Sequence, residues 1–292
     1  MIKSYIPKNI DELFNCLAEM TPNSKIVAGS TDLGIRLQKG GLSPDALLYM
    51  GSIKETRDIV EYDKYVEIGA YVTHTELEKS PIICKYFTAI SDAAKDVGSL
   101  QIRNNGTIGG NIANASPAGD LLPVLFMLDA TVVVATKNKE LKDIKISEFI
   151  LGPGKTVLEV GEAIVKFRIN KIDDFISAFI KLGSRKKLTI SRIGCTIGIT
   201  FKESTIDDIK IYIGAISLTP VQLKKAEEYL KNENIMELFN IQIKKDISNF
   251  MSSLIYEITP EKFDRDYKVW ASKAVVFDLF DIVEKRILGN RW

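Results

Sequence analysis

The sequence predicts an α+β protein, and three observations lead there. Strand-like and helix-like stretches alternate through the first 170 or so positions. Near Phe175 the texture changes to two long runs, Ile193 to Phe201 and Ile209 to Leu218, that read as paired strands. Helical stretches then follow at Val221 to Asn232, Met236 to Leu254 and Glu261 to Leu288. The change of texture places a domain boundary near residue 172, dividing the chain into 1–172 and 173–292.

The opening stretch reads as β-α-β. Asp11 is the expected N-cap of a helix through Glu12 to Ala18, with Leu13, Leu17 and Met20 on one face. Lys25 to Ala28 is a short strand that runs into Gly29-Ser30-Thr31-Asp32 and an apolar-periodic stretch, Leu33 to Leu37. Ala46 to Met50 is a further strand. Tyr65 to Ala70 alternates like a strand, and Thr75 to Lys79 starts a helix after Thr73. A helix is expected over Ile90 to Val97. Gln101 to Asp120 has no regular period. Leu121 to Leu128 reads as helical after Pro123, Ala130 to Ala135 as a buried strand, and Ala163 to Ile169 as another strand. Gly152-Pro153-Gly154 breaks the chain. Gly152 to Thr156 is no phosphate-binding P-loop, because its first glycine would fall on Phe149.

Composition narrows the chemistry. Net charge is +1, so no overall field draws nucleic acid. No apolar run approaches the roughly 20 residues that span a bilayer. The N-terminal residues lack a signal-peptide core, and a cytoplasmic protein without a membrane span is expected. Cys16, Cys84 and Cys195 lie far apart and read as reduced, packed thiols, not as cluster or zinc ligands. His74 is the only histidine and reads as a surface or capping residue. No residue is assigned to catalysis or to a metal. If the chain is part of an enzyme, a bound organic cofactor supplies the chemistry.

Two glycine-bearing turns are the candidates for holding it. The first is Ile26-Val27-Ala28-Gly29-Ser30-Thr31-Asp32-Leu33; the second spans Asn105-Gly106-Thr107-Ile108-Gly109-Gly110-Asn111. Glycine lets backbone approach a ligand, and successive N–H groups then form a concavity for an anion. Neither turn is the dinucleotide fingerprint G-x-G-x-x-G. Lys181, Arg185, Lys186, Lys187 and Arg192 form a basic patch, read as a solvated face or as a contact for phosphates or an anionic partner.

In order along the chain, Ala28 to Leu33, Ile68-Gly69-Ala70, Gln101 to Asn111, Ala115-Ser116-Pro117-Ala118-Gly119-Asp120 and Leu128-Asp129-Ala130 resemble the FAD-binding medium subunits of the xanthine dehydrogenase and carbon monoxide dehydrogenase family, the molybdenum hydroxylases. Gly152 to Thr156, Lys181-Leu182-Gly183-Ser184-Arg185 and Gly214-Ala215 leading to Thr219-Pro220 extend the likeness to about residues 3–285. The resemblance implies a two-subdomain FAD-binding fold of the vanillyl-alcohol-oxidase-like (PCMH) type, with subdomains of about 1–55 and 56–172, and a C-terminal α+β domain over 173–292. It implies that Ile26 to Leu33 and Thr107, Ile108, Gly109, Gly110 and Asn111 hold the pyrophosphate. It also implies that Asp120 contacts FAD, that Ile164 lies near the flavin and that Lys181 helps hold the cofactor. Ser30 stands where that family commonly has glycine.

The implied role is electron transfer in a heterotrimer. A molybdopterin-binding large subunit oxidises a purine or other N-heterocycle, as in xanthine dehydrogenase. A small 2Fe-2S subunit delivers the electrons, and FAD in this chain passes them to NAD or another acceptor. The alternative is a stand-alone flavin oxidase of the vanillyl-alcohol type, whose cap domain brings catalytic residues of its own.

Overall fold

The computed structural model describes residues 2–185, 188–259 and 264–289. Two compact units make up the chain, and neither is continuous in sequence. The first comprises Met1–Ser80, Ser99–Ser116 and Asp129–Lys171. The second comprises Pro81–Gly98, Pro117–Leu128 and Ile172–Trp292.

The first unit opens with β1 (Lys3–Tyr5), α1 (Ile10–Ala18), β2 (Lys25–Val27), α2 (Leu33–Gln38) and β3 (Ala46–Tyr49). β3 lies between β1 and β2 and is parallel to both, which the crossover helices make possible. Leu13 and Leu17, one turn apart, bury one face of α1 beside Leu48, Val133 and Ala135. Asn9 caps α1, not Asp11: its side-chain oxygen accepts from the Glu12 N–H at 2.8 Å. The helix therefore starts at Ile10, and Asp11 lies in its first turn, where a negative charge suits the helix dipole.

Next come β4 (Ile59–Glu61), β5 (Tyr65–Gly69) and α3 (His74–Lys79). The chain then passes through α4 (Pro81–Tyr86) and α5 (Thr88–Asp96) of the second unit, returns for α6 (Leu100–Asn105) and α7 (Ile108–Ala113), and leaves again for α8 (Leu121–Met127). The first unit ends with β6 (Thr131–Thr136), β7 (Leu141–Lys145), α9 (Ile146–Phe149), the hairpin β8 (Ile150–Gly152) and β9 (Lys155–Thr156), and β10 (Glu162–Asn170). Gly154, at φ +67°, sits in that hairpin turn, where a left-handed residue is needed.

The second sheet of this unit is antiparallel, in the order β4-β5-β10-β6-β7. Charged pairs run across one face: Glu67 to Lys166 at 2.7 Å and Arg168 to Asp143 at 2.6 Å. β7 is an edge strand in which Lys142, Asp143 and Lys145 outnumber Leu141 and Ile144 and the first three residues are exposed, which is why no alternating apolar pattern announces it.

The second unit is built on β11 (Phe175–Gly183), β12 (Ser191–Lys202), β13 (Thr205–Gly214) and β14 (Val221–Gln222), an antiparallel sheet in chain order. It is completed by α10 (Lys224–Leu230), α11 (Ile241–Ile258) and α12 (Arg265–Gly289). Along β12, Ile193, Cys195, Ile197 and Ile199 share one face and join a core with Ile247, Met251, Ile255, Val276 and Phe280 of the long helices. The opposite face carries Gly194 and Gly198. There α8 approaches so closely that a Cβ at Gly198 would lie 2.4 Å from Met127 Sδ.

Several boundaries differ from the sequence expectation. Val221 and Gln222 extend the sheet, so the helix there begins at Lys224. Asn240 interrupts the stretch from Met236: a 3-10 turn precedes it, and its side chain caps α11 at Gln242 N, 2.9 Å away. α8 starts ahead of Pro123, which sits in the first turn, where its missing N–H breaks no helical bond. Glu261, Lys262 and Phe263 lie outside the described residues. The cysteines are not uniformly packed either. Cys195 is buried, which pushes its thiol up to about 12, whereas Cys16 is partly exposed and Cys84 exposed.

Candidate functional site

The first glycine-bearing turn carries the chain from the end of β2 to the start of α2. A Cβ at Gly29 would lie 1.8 Å from the carbonyl oxygen of Asn105, so only glycine fits there. Ser30 adopts φ +58°, the left-handed conformation. That explains why the related pattern has glycine at this position: a side chain costs about 1 kcal/mol in that region. The Ser30 carbonyl starts α2 by accepting from Gly34 N at 3.0 Å. The backbone N–H groups of Ser30, Thr31, Asp32 and Leu33 donate to no acceptor among the described residues. A row of unengaged amides around a left-handed residue is a cradle for an anion.

The second turn uses its amides differently. Ile108 N donates to Val72 O at 2.9 Å, Gly109 N to Ala70 O at 2.9 Å, and Gly110 N to the Thr107 hydroxyl at 3.1 Å. The segment is also more regular than its sequence suggests, since Ile108 already begins α7. Its glycines serve close packing. A Cβ at Gly109 would sit 2.7 Å from Ala70 O, and one at Gly110 would be 3.9 Å from Ala28 Cβ, in the first turn. What this segment can offer a ligand is side-chain chemistry. Asn111 Oδ1 is buried without a partner among the described residues, and such an orphaned polar atom calls for one.

His74 lies beneath this second turn and is buried, contrary to the surface or capping role expected of it. Thr73 is the cap of α3, through a reciprocal pair with Glu76. The His74 N–H donates to Gly106 O at 3.0 Å, and a Cβ at Gly106 would approach the imidazole to 3.1 Å. Burial, with a smaller push from the Arg103 charge, lowers its pKa to about 4, so the ring is neutral at physiological pH.

Ile164 is buried on β10, opposite Val134 of β6 and directly before a β-bulge at Val165. The bulge sends the Val165 carbonyl to Ala70 N at 2.9 Å, and Ala70 in turn receives Gly109 N. A backbone chain thus links β10, the end of β5 and the second turn.

Asp120 and Lys181 belong to the second unit and form a buried ion pair at 2.7 Å. Lys181 Nζ also donates to the Asp96 carbonyl at 2.9 Å. The other Asp120 oxygen accepts from the Ser191 hydroxyl. Burial raises the Asp120 pKa against the opposing pull of Lys181 and Ser191. Ser191 was invisible from sequence: it lies in no motif, and 71 positions separate it from Asp120. The basic patch does not form one solvated face. Lys181 is buried, Arg185 donates to Leu188 O at 2.9 Å, and Arg192 stacks 5.1 Å from the Tyr267 ring centroid. Lys186 and Lys187 lie outside the described residues.

Residues 1–171 match the family model described as the FAD binding domain in molybdopterin dehydrogenase. The nicotinate dehydrogenase FAD-subunit of Eubacterium barkeri is 34% identical over 234 residues, covering 77% of this chain and 78% of that protein. A putative xanthine dehydrogenase FAD-binding subunit of Escherichia coli is 27% identical over 282 residues, 96% of this chain and 92% of that one. Among solved structures, a carbon monoxide dehydrogenase from Hydrogenophaga pseudoflava superposes with a TM-score of 0.85 at 25% identity, covering 98% of each chain.

Proposed function

The chain belongs to the FAD-binding subunits of the molybdenum hydroxylase family, oxidoreductase components that carry FAD, and we propose that it is the electron-transfer subunit between iron–sulfur clusters of a small partner and NAD or another acceptor. The partner that selects the substrate is a molybdopterin-binding large subunit, in a cytoplasmic heterotrimer. The substrate class is a purine or another N-heterocycle. Two relatives named for nicotinate and xanthine support that class. A stand-alone oxidase is not favoured by relatives named as subunits of dehydrogenases.

The observation that carries the reading is the row of unengaged amides from Ser30 to Leu33 within the region the family model matches. FAD, when bound, supplies the redox chemistry, taking up electrons singly and releasing two as hydride. The chain's own residues bind and orient it. In this reading Ile26 to Leu33 form the first pyrophosphate turn, with the amides as donors. Thr107 to Asn111 form the second, through the Thr107 hydroxyl and the Asn111 amide. Asp120 and Lys181 present a fixed charge pair to the cofactor, and Ile164 supplies an apolar surface for the flavin. In domain terms, 1–172 is the FAD-binding part, with subdomains of about 1–55 and 56–172, and 173–292 is the C-terminal domain.

The test is the purified chain incubated with FAD, desalted, and assayed alone and with its partner subunits. The expected outcome is retained flavin bands and NADH-linked dye reduction by the chain alone, with N-heterocycle hydroxylation only in the full complex. A lone chain that hydroxylates such a substrate would overturn the scheme.

A further inference from the structure

The Asp120 side chain makes no capping bond to α8, although it stands at the N-terminus of that helix. Each of its oxygens instead has its own donor from a different strand. Oδ2 accepts from Lys181 Nζ on β11 at 2.7 Å, and Oδ1 accepts from the hydroxyl of Ser191, the first residue of β12. The register between β11 and β12 shifts beside Ser191, at the Leu182/Gly183 step. Such irregularities re-aim side chains. Ser191 is buried, so its hydroxyl needs an acceptor, and the acceptor is Asp120.

We propose that Ser191 is a positioning residue for FAD, fixing the Asp120 carboxylate so that it and Lys181 meet the cofactor as a preset pair. This rests on the roles given above to Asp120 and Lys181. Among the described residues, the charged and polar groups that act on the carboxylate are Lys181 from β11, Ser191 from β12 and Asp96 at the end of α5. Burial and the Asp96 charge favour the protonated acid, whereas Lys181 and Ser191 favour the carboxylate. Without the Ser191 donor, Asp120 keeps one anchor instead of two. It then takes up a proton at higher pH, and Lys181 loses a fixed partner.

The experiment uses the full chain stripped of flavin and titrated with FAD by fluorescence quenching across a pH series, for wild type, Ser191→Ala, Ser191→Thr and Asp120→Asn. A hydrogen bond to a charged acceptor is worth enough that Ser191→Ala should weaken FAD binding about tenfold at neutral pH. It should also shift the acid limb of FAD affinity to higher pH. Ser191→Thr keeps the hydroxyl and should restore both, with circular dichroism verifying the fold of each variant. Wild-type affinity and an unmoved acid limb in Ser191→Ala overturn the proposal and leave Asp120's role standing, provided Asp120→Asn is impaired. Equal impairment of the alanine and threonine variants also overturns it, because the defect would then lie in packing. If Asp120→Asn binds FAD like wild type, the role of Asp120 falls, and the proposal with it.

Discussion

The two glycine-bearing turns of the first unit look alike in sequence and do different work. In the turn from Ser30 to Leu33 the amides are unengaged among the described residues. In the turn from Ile108 to Gly110 they are tied to Val72, Ala70 and Thr107. The first is a donor surface and the second a scaffold that backs it. Gly29 against the Asn105 carbonyl is the point where the two turns touch. Glycine content therefore marks close backbone approach in both turns, but unengaged backbone amides among the described residues in only one.

The most severe way to break this arrangement is Gly29→Ala. The new methyl would meet a backbone carbonyl at 1.8 Å, which cannot swing aside as a side chain can. The turns must separate, with an expected loss of about 3 kcal/mol or more of stability and loss of FAD retention. Urea denaturation and desalting of the reconstituted variant measure both. Unchanged stability would show that the two turns are not in contact.

Acid sharpens the comparison through His74, which lies beneath the second turn. His74 has a folded pKa of about 4, below its ordinary value of 6.5. Its contribution to stability is therefore complete above pH 6.5 and is lost progressively as pH falls toward 4, because the unfolded chain takes up the proton first. At pH 5 the loss is roughly 2 kcal/mol. Denaturant midpoints at pH 7.5 and pH 5 should differ accordingly, and His74→Leu should narrow the gap. A gap of the same size in His74→Leu would place the acid sensitivity elsewhere.

The mildest probe is Ser30→Gly, which touches only the first turn. Relief of the left-handed serine should raise stability by up to about 1 kcal/mol, part of it offset by the freer unfolded chain. FAD affinity should hold, since the amides are backbone groups. A higher melting temperature together with weaker FAD binding would mean that the Ser30 hydroxyl itself donates to the cofactor.

Much of this was legible without coordinates, and the misses have identifiable causes. The strands from Tyr65 and Ile193 follow from apolar alternation, because burial of one face imposes it, and those from Lys25 and Ala46 follow from short apolar runs. β7 escaped because an edge strand partly in water carries no regular apolar alternation, and α7 because two glycines hide a helix start that Thr107 caps. Asn9 outcompeted Asp11 as a cap by geometry that neighbouring polar residues do not reveal from sequence alone.

The sequence by itself determined the α+β class, the positions of both glycine turns and, through their motifs, the FAD-binding family. These are local properties: which residues tolerate close approach or left-handed backbone, and in what order they come. The tertiary structure alone decided which turn keeps its amides unengaged, that His74 is buried and neutral, and that Ser191 reaches Asp120. Hydrogen-bond engagement and burial depend on neighbours tens of residues away, and no local pattern encodes which of them arrives.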